Sequence, residues 1–233
     1  MIRTRSRERL PGIVAPVLTA PILSGIHRLN RDYVELLIAG RECETADALP
    51  SSVISGLRAL SPQARAALTA CPFALYALGI EHQDFWRNQS GDSADPDAYV
   101  TRESLPRESA FAINALFFAW HIASSQRVAA KVLYALADNV IDRLIPLPLV
   151  ELQSIACRDS ALLAPRWPGN AAFWPDLVRF AALGDAQRLT TTQLLGSQLI
   201  AADLRTNAAT RGLLRPLSRV TASVTHEASG LRR

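Results

Sequence analysis

The stretch Ser109–Leu144 reads SAFAINALFFAWHIASSQRVAAKVLYALADNVIDRL, and it is the longest apolar run of the chain, free of both Pro and Gly. Over 109–123 the apolar residues recur around most of a helical circumference, which predicts a helix buried on nearly all sides. Ser124-Ser125 punctuates the run. Ser125 is placed to cap a second helix through Leu136, and Asp138 a third over 139–145. Pro146 and Pro148 mark the next turn, and LVELQSIAC continues as a fourth helix to Cys157. Asn170 is placed to cap NAAFWPDLVRFAALG, which Gly184 closes, and Asp185 opens a last long helix to about Leu204.

Upstream the same grammar recurs in weaker form. Asn30 is placed as an N-cap for a short helix carrying Tyr33, Leu36 and Leu37 and stopped by Gly40. Pro50 opens a helix with Val53, Ile54, Leu57 and Leu60 on one face. Ser61-Pro62 is a cap followed by Pro at the first helical position, leading to Leu68 and Cys71. Pro72 begins a further apolar turn, PFALYALG, and residues 81–88 form a short amphipathic piece anchored by Phe85 and Trp86. Ala and Leu dominate while β-branched and aromatic residues are modest, so the composition is that of an all-α protein.

The two halves line up at a nearly constant offset. Asn30, Tyr33 and Ile38-Ala39 match Asn114, Phe117 and Ile122-Ala123 at 84 residues; Val53-Ile54-x-x-Leu57-x-x-Leu60 matches Val140-Ile141-x-x-Leu144-x-x-Leu147 at 87. Ala70-Cys71 matches Ala156-Cys157 at 86, and Phe85-Trp86 matches Phe173-Trp174 at 88. Four blocks in the same order, two of them carrying the rarer Cys and Trp, predict an internal duplication. Two units that each leave an apolar face uncovered are expected to pack as a pseudo-dimer within one chain, with 109–123 against Asn30–Gly40 across the seam. The organisation this predicts is a basic and apolar flexible arm over 1–29, a first helical unit over 30–89, a polar linker over 90–106 rich in Ser, Gly, Asp and Pro, a second unit over 107–204, and a basic tail over 205–233.

Charge sits at the ends. Residues 1–10 carry a net +3 and residues 205–233 a net +5, in a chain of net +4, so the body between them is acidic by about 4 charges. Basic ends suit phosphates or an acidic partner. Pro11, Pro16 and Pro21 break the apolar part of 1–29, so the opening reads as an arm lying along the body or a partner, not as a signal peptide or a membrane span, which needs ~20 apolar residues. Three cysteines (Cys43, Cys71 and Cys157) without CxxC spacing fit a reducing cytoplasm.

Catalytic grammar is missing. There is no GxGxxG, Walker or HExxH pattern, and no His or Cys pairing at zinc-ligand spacing, so an enzyme, a cofactor and a metal are not expected. Glu81, His82 and Asp84 read as a solvated face. His121 has no Cys or carboxylate at i±3 or i±4, and the serines there, Ser124 and Ser125, are the punctuation that ends its helix, so it reads as a core or interface residue rather than a base. Phe117, Trp120, His121, Phe85, Trp86, Phe173 and Trp174 are the candidate interface positions. Arg127 and Lys131 share one helical face, with Arg143 on the next helix. In a helix-turn-helix reading these three are the candidate DNA contacts, although Asp138 and Asp142 nearby dilute their field.

The second copy resembles the D subunit of the flagellar master transcription regulator, FlhD. The resemblance lies in an Ile-Asn-x-x-aromatic helix (Ile113, Asn114, Phe117, Ala123), an Ala-x-x-aliphatic-x-x-Leu helix (Ala129, Val132, Leu136), a capped aliphatic helix (Ile141, Leu144, Leu147) and a Leu-rich helix (Leu152, Ala156). It covers about residues 108–165 and, more faintly, 28–89. This chain departs from the family in carrying two copies and basic tails, and in reading LLAPRW where the family tends to carry a cysteine, Cys157 falling earlier. The resemblance implies a small all-α regulator that dimerises and acts on promoters with a second protein subunit. The expectation is a cytoplasmic FlhD-like transcriptional regulator working through a protein partner and candidate DNA contacts, with no membrane and no small-molecule substrate. The reading set against it is a helical adaptor or structural subunit of a bacterial assembly without DNA binding.

Overall fold

The computed structural model describes residues 17–40, 48–81, 85–86, 105–158 and 162–213, with side chains to 206. His82, Asp84, Cys43, the linker from 90 to 104 and most of both basic ends therefore lie outside the described residues. Among the described residues are nine α-helices and two three-residue strands. The fold is mostly helical, as expected; the strands were not anticipated.

The first half is α1 (Ala20–Ala39), α2 (Ser51–Ala59), α3 (Pro62–Thr69) and β1 (Tyr76–Leu78). The second is α4 (Arg107–Ser125), α5 (Arg127–Tyr134), α6 (Asp138–Leu144), α7 (Leu149–Arg158) and β2 (Leu163–Pro165). α8 (Phe173–Leu183) and α9 (Ala186–Leu213) complete the chain. α1 and α4, α2 and α6, α3 and α7, and β1 and β2 each start 87 residues apart. The strands pair antiparallel, with Tyr76 opposite Pro165, Ala77 opposite Ala164 and Leu78 opposite Leu163, so the central pair is itself 87 residues apart. At that step Asn30 stands level with Phe117, not with Asn114 as the three-residue-shorter alignment had it.

α1 starts ten residues before Asn30. Its stripe Ile22, Ile26, Leu29, Tyr33 and Leu37 is buried, so residues 20–29 lie on the body as helix. Pro21 does not oppose this, because it occupies the first turn, where its missing N–H is no loss. Asn30 is accordingly mid-helix, not an N-cap. Ser61 caps α3 as expected, its Oγ accepting the Ala64 N–H at 3.2 Å. Asn170 Oδ1 accepts the N–H groups of Ala172 and Phe173, both at 3.0 Å, and Gly184, in the left-handed region at φ 66°, ends α8.

Other caps differ from the reading above. Ser125 donates back to the His121 carbonyl at 2.8 Å inside α4, and Gln126 opens α5 instead. α5 stops at Tyr134, short of Leu136, because Ala135 turns left-handed at φ 54°. Asp138 lies inside the first turn of α6, behind Ala137. α9 runs past Leu204 to Leu213, since nothing before Pro216 breaks it.

α4 is buried through Phe111, Ala115, Leu116, Ala119, Ile122 and Ala123, while Asn114 and His121, two turns apart, mark an exposed strip. It packs on α7 and α5 and meets α1. There the Tyr33 and Phe111 rings lie 5.6 Å apart, and Gly25 passes so near that a Cβ would sit 2.5 Å from the Phe118 ring. α8 packs across the other half, on α2 and α3, and α9 packs on α8 and α5. A Cβ on Gly196 of α9 would overlap the Phe73 ring and reach 2.9 Å from that of Phe173. One hydrophobic core thus takes residues from both halves.

Candidate interaction site

The three sequence-picked cations fall at the α5–α6 corner. Arg127 and Lys131, one turn apart on α5, face Asp138 and Asp142, one turn apart on α6. Arg127 Nη2 lies 2.8 Å from Asp142 and 3.4 Å from Asp138, and Lys131 Nζ lies 2.7 Å from Asp138. The hydrogen bond from Lys131, followed by that from Arg127, holds the Asp138 carboxyl below its ordinary pKa, and the Asp142 hydrogen bond raises that of Arg127. Two cations meet two anions, so the corner has no net charge beyond exposed Arg143. Phosphate binding draws on uncompensated cations, and here the compensation is intramolecular.

The candidate interface aromatics divide. Phe173 and Trp174 are buried, and Trp174 Nε1–H donates to the Arg166 carbonyl at 2.7 Å. Their place is the interior, where the Trp167 ring stands edge-on to those of Phe73 and Phe173 at 5.8 and 4.8 Å and the two phenyl rings lie tilted at 6.3 Å. Phe85 is buried, while half-buried Trp86 donates to the Ile80 carbonyl at 2.7 Å. Trp120, also half-buried, donates to the Ile145 carbonyl at 3.1 Å, tying α4 to the end of α6. Phe117 is half-buried and His121 exposed, so the α4 members and Trp86 reach the surface while Phe85, Phe173 and Trp174 do not.

Two polar clusters escaped sequence reasoning. The stretch 71–75 between α3 and β1 is buried without regular structure, and its backbone groups need partners. Asn30 supplies several: its Nδ2 donates to the carbonyls of Phe73 at 2.9 Å and Thr69 at 3.3 Å, and its Oδ1 accepts the Leu75 N–H at 2.9 Å. The Ala74 N–H reaches the Leu133 carbonyl, and the Leu75 carbonyl accepts from Arg166 N, both at 3.0 Å. The second cluster is the buried Arg166, whose Nε donates to the Tyr76 carbonyl at 3.1 Å and whose Nη2 donates to the Tyr134 carbonyl at 2.7 Å, closing the end of α5. Asp203 on α9 lies 3.9 Å from Arg166 Nη1 and accepts the Trp167 Nε1–H at 2.8 Å.

Beneath them the hydroxyls of Tyr76 and Tyr134 share a hydrogen bond of 3.0 Å. Burial pushes both phenols well above their ordinary pKa, so both stay protonated at neutral pH. Burial likewise pushes the Cys71 thiol up, away from the reactive thiolate. All three groups hold their protons, and the Tyr76–Tyr134 bond joins the two halves. Neither the strands nor Arg166 carried a signal in the sequence.

Two surface depressions complete the description. One, of about 330 Å³, lies between α1 and α4 and is lined by Asp32, Glu35, Arg107 and Asn114 around Phe111. The other, of about 520 Å³, lies between α8 and α9. Among the described residues no cluster of three or more His, Cys, Asp or Glu is placed to hold a metal ion, and no helix is long and apolar enough to cross a membrane. No protein-family model, curated protein or solved structure matches the chain.

Proposed function

We propose that the chain is a cytoplasmic, non-enzymatic FlhD-like regulator of transcription, built from two fused related units packed as an intrachain pseudo-dimer, and that it acts through a protein partner. The observation that carries the two-unit reading is the pairing of Ala77 with Ala164. A two-fold axis through an antiparallel pair sets one residue opposite its own equivalent and crosses its neighbours, as Tyr76 opposite Pro165 and Leu78 opposite Leu163 do. Ala77 and Ala164 are separated by the same 87 residues that separate the starts of three helix pairs. The regulatory role rests on the resemblance of residues 108–165 to FlhD.

Partner binding ranks above direct DNA contact because Arg127 and Lys131 are already paired with Asp138 and Asp142. The same pairing favours the second reading, an adaptor or structural subunit without DNA. Transcript profiling after deletion of the gene, together with cross-linking of the chain to chromosomal DNA, separates them. The regulator reading expects a defined set of transcripts to shift and their promoters to be recovered with the chain. Unchanged transcripts and no promoter recovery would leave the adaptor.

A further inference from the structure

The α8–α9 groove presents apolar surface that no described residue covers. The inner side of α9 places Leu189, Gly196 and Ile200 against the core, whereas Leu194 and Leu195 point outward, 59% and 37% exposed. Leu183, at the end of α8, is 66% exposed. Phe180 and Thr192 line the groove between them, with Asp176 on the α8 side and Arg188 on the α9 side. Neighbouring exposed leucines beside a groove are the kind of surface that monomers seldom leave open.

The charges indicate the occupant. A partner of one sign would match either Asp176 or Arg188 and oppose the other. A second copy turned by a two-fold rotation sets Asp176 of each copy against Arg188 of the other and satisfies both. Arg188 is available for this: its side chain is 63% exposed, lies over the Phe180 ring at 5.7 Å, and makes a loose ion pair to neighbouring Asp185 at 3.5 Å. We infer that the α8–α9 face is a self-association surface, on which two copies of the chain pair isologously through Leu194 and Leu195 with reciprocal Asp176–Arg188 contacts. This is independent of the proposed regulatory role.

Sedimentation equilibrium of the full chain over about a hundredfold range of concentration tests it. The expected result is a monomer–dimer equilibrium that Leu194→Glu weakens by at least about tenfold, since a carboxylate would be buried against the partner. Leu149→Glu, on α7, should leave the equilibrium unchanged. Asp176→Arg alone, which gives the groove two cations, and Arg188→Asp alone, which gives it two anions, should each associate weakly. Mixing the two variants should restore the dimer. Circular dichroism checks that each variant keeps the helical fold. A wild-type chain that stays monomeric would assign the groove to another occupant and overturn the proposal. So would a dimer indifferent to Leu194→Glu, or charge-swapped variants that fail to associate when mixed.

Discussion

α2 and α6 begin 87 residues apart and bury the same pattern, Val53, Ile54 and Leu57 in one and Val140, Ile141 and Leu144 in the other. Their outer faces differ. Gly56 on α2 admits Val178 of α8 so closely that a Cβ would lie 2.7 Å from its Cγ1, whereas the residue at the same step on α6 is the exposed Arg143. α8 packs on α2 and α3 of the first half. Under the proposed duplication, the shared pattern sets which residues face the core, and single positions on the outer face decide what docks there. The candidate DNA cation Arg143 and the helix seat at Gly56 are two uses of one place in the frame.

The strongest way to break the comparison is at Asn30, whose polar role has no counterpart in the half-buried Phe117 at the same step. Asn30→Leu should cost about 3 kcal/mol in denaturant unfolding, because the Leu75 N–H and Phe73 carbonyl lose their partner in a buried segment. Phe117→Leu should cost about 1 kcal/mol. A loss at Asn30 no larger than at Phe117 would mean that residues 71–75 are held by other groups.

Exchanging the outer-face residues comes next. Gly56→Arg should destabilise by about 2 kcal/mol through displacement of α8 from α2. Arg143→Ala, on an exposed face, should stay within about 0.5 kcal/mol of the parent. Tyr134→Phe removes the hydroxyl bonded to Tyr76 and should cost about 1 kcal/mol.

The smallest expected effect is acid-dependent. Asp138 is held below its ordinary pKa by Lys131 and then Arg127. Its contribution is therefore present above the titration of the unfolded carboxylate and is lost as pH falls through its own depressed value. His27 behaves in the same sense one range higher. Burial, followed by the charge of Arg31, lowers its pKa, so its contribution is complete above the ordinary histidine pKa and is lost as pH falls through the depressed one. Asp138→Asn should flatten only the acid limb of a stability–pH curve, and His27→Gln only the limb just below neutrality.

Much of this was legible in the sequence. Apolar periodicity located the helices, and Ser61, Asn170 and Gly184 announced their caps because a short oxygen-bearing side chain or a residue free of Cβ is what those positions require. The aspartates that neutralise Arg127 and Lys131 were also visible, at helical spacing on the following segment. The strands were not, since three residues of Tyr-Ala-Leu or Leu-Ala-Pro carry no period of two. Asn30 read as a cap because the proline-broken stretch before it read as an arm, while Pro21 in fact sits in the turn that tolerates it. Arg166 and the Tyr76–Tyr134 pair are tertiary facts, joined across 32 to 90 residues of chain.

The central claim is that equivalent positions of two related halves face each other at Ala77 and Ala164. Directly opposed residues of an antiparallel pair have Cα atoms ~4.5–5.5 Å apart, within reach of a disulfide. Ala77→Cys combined with Ala164→Cys, oxidised in the full chain at high dilution and mapped by peptide mass spectrometry, should give an intrachain disulfide between those two positions in near-complete yield. No bond there, or a better yield when Ala77→Cys is paired with Leu162→Cys, would contradict the register and with it the two-fold relation of the halves.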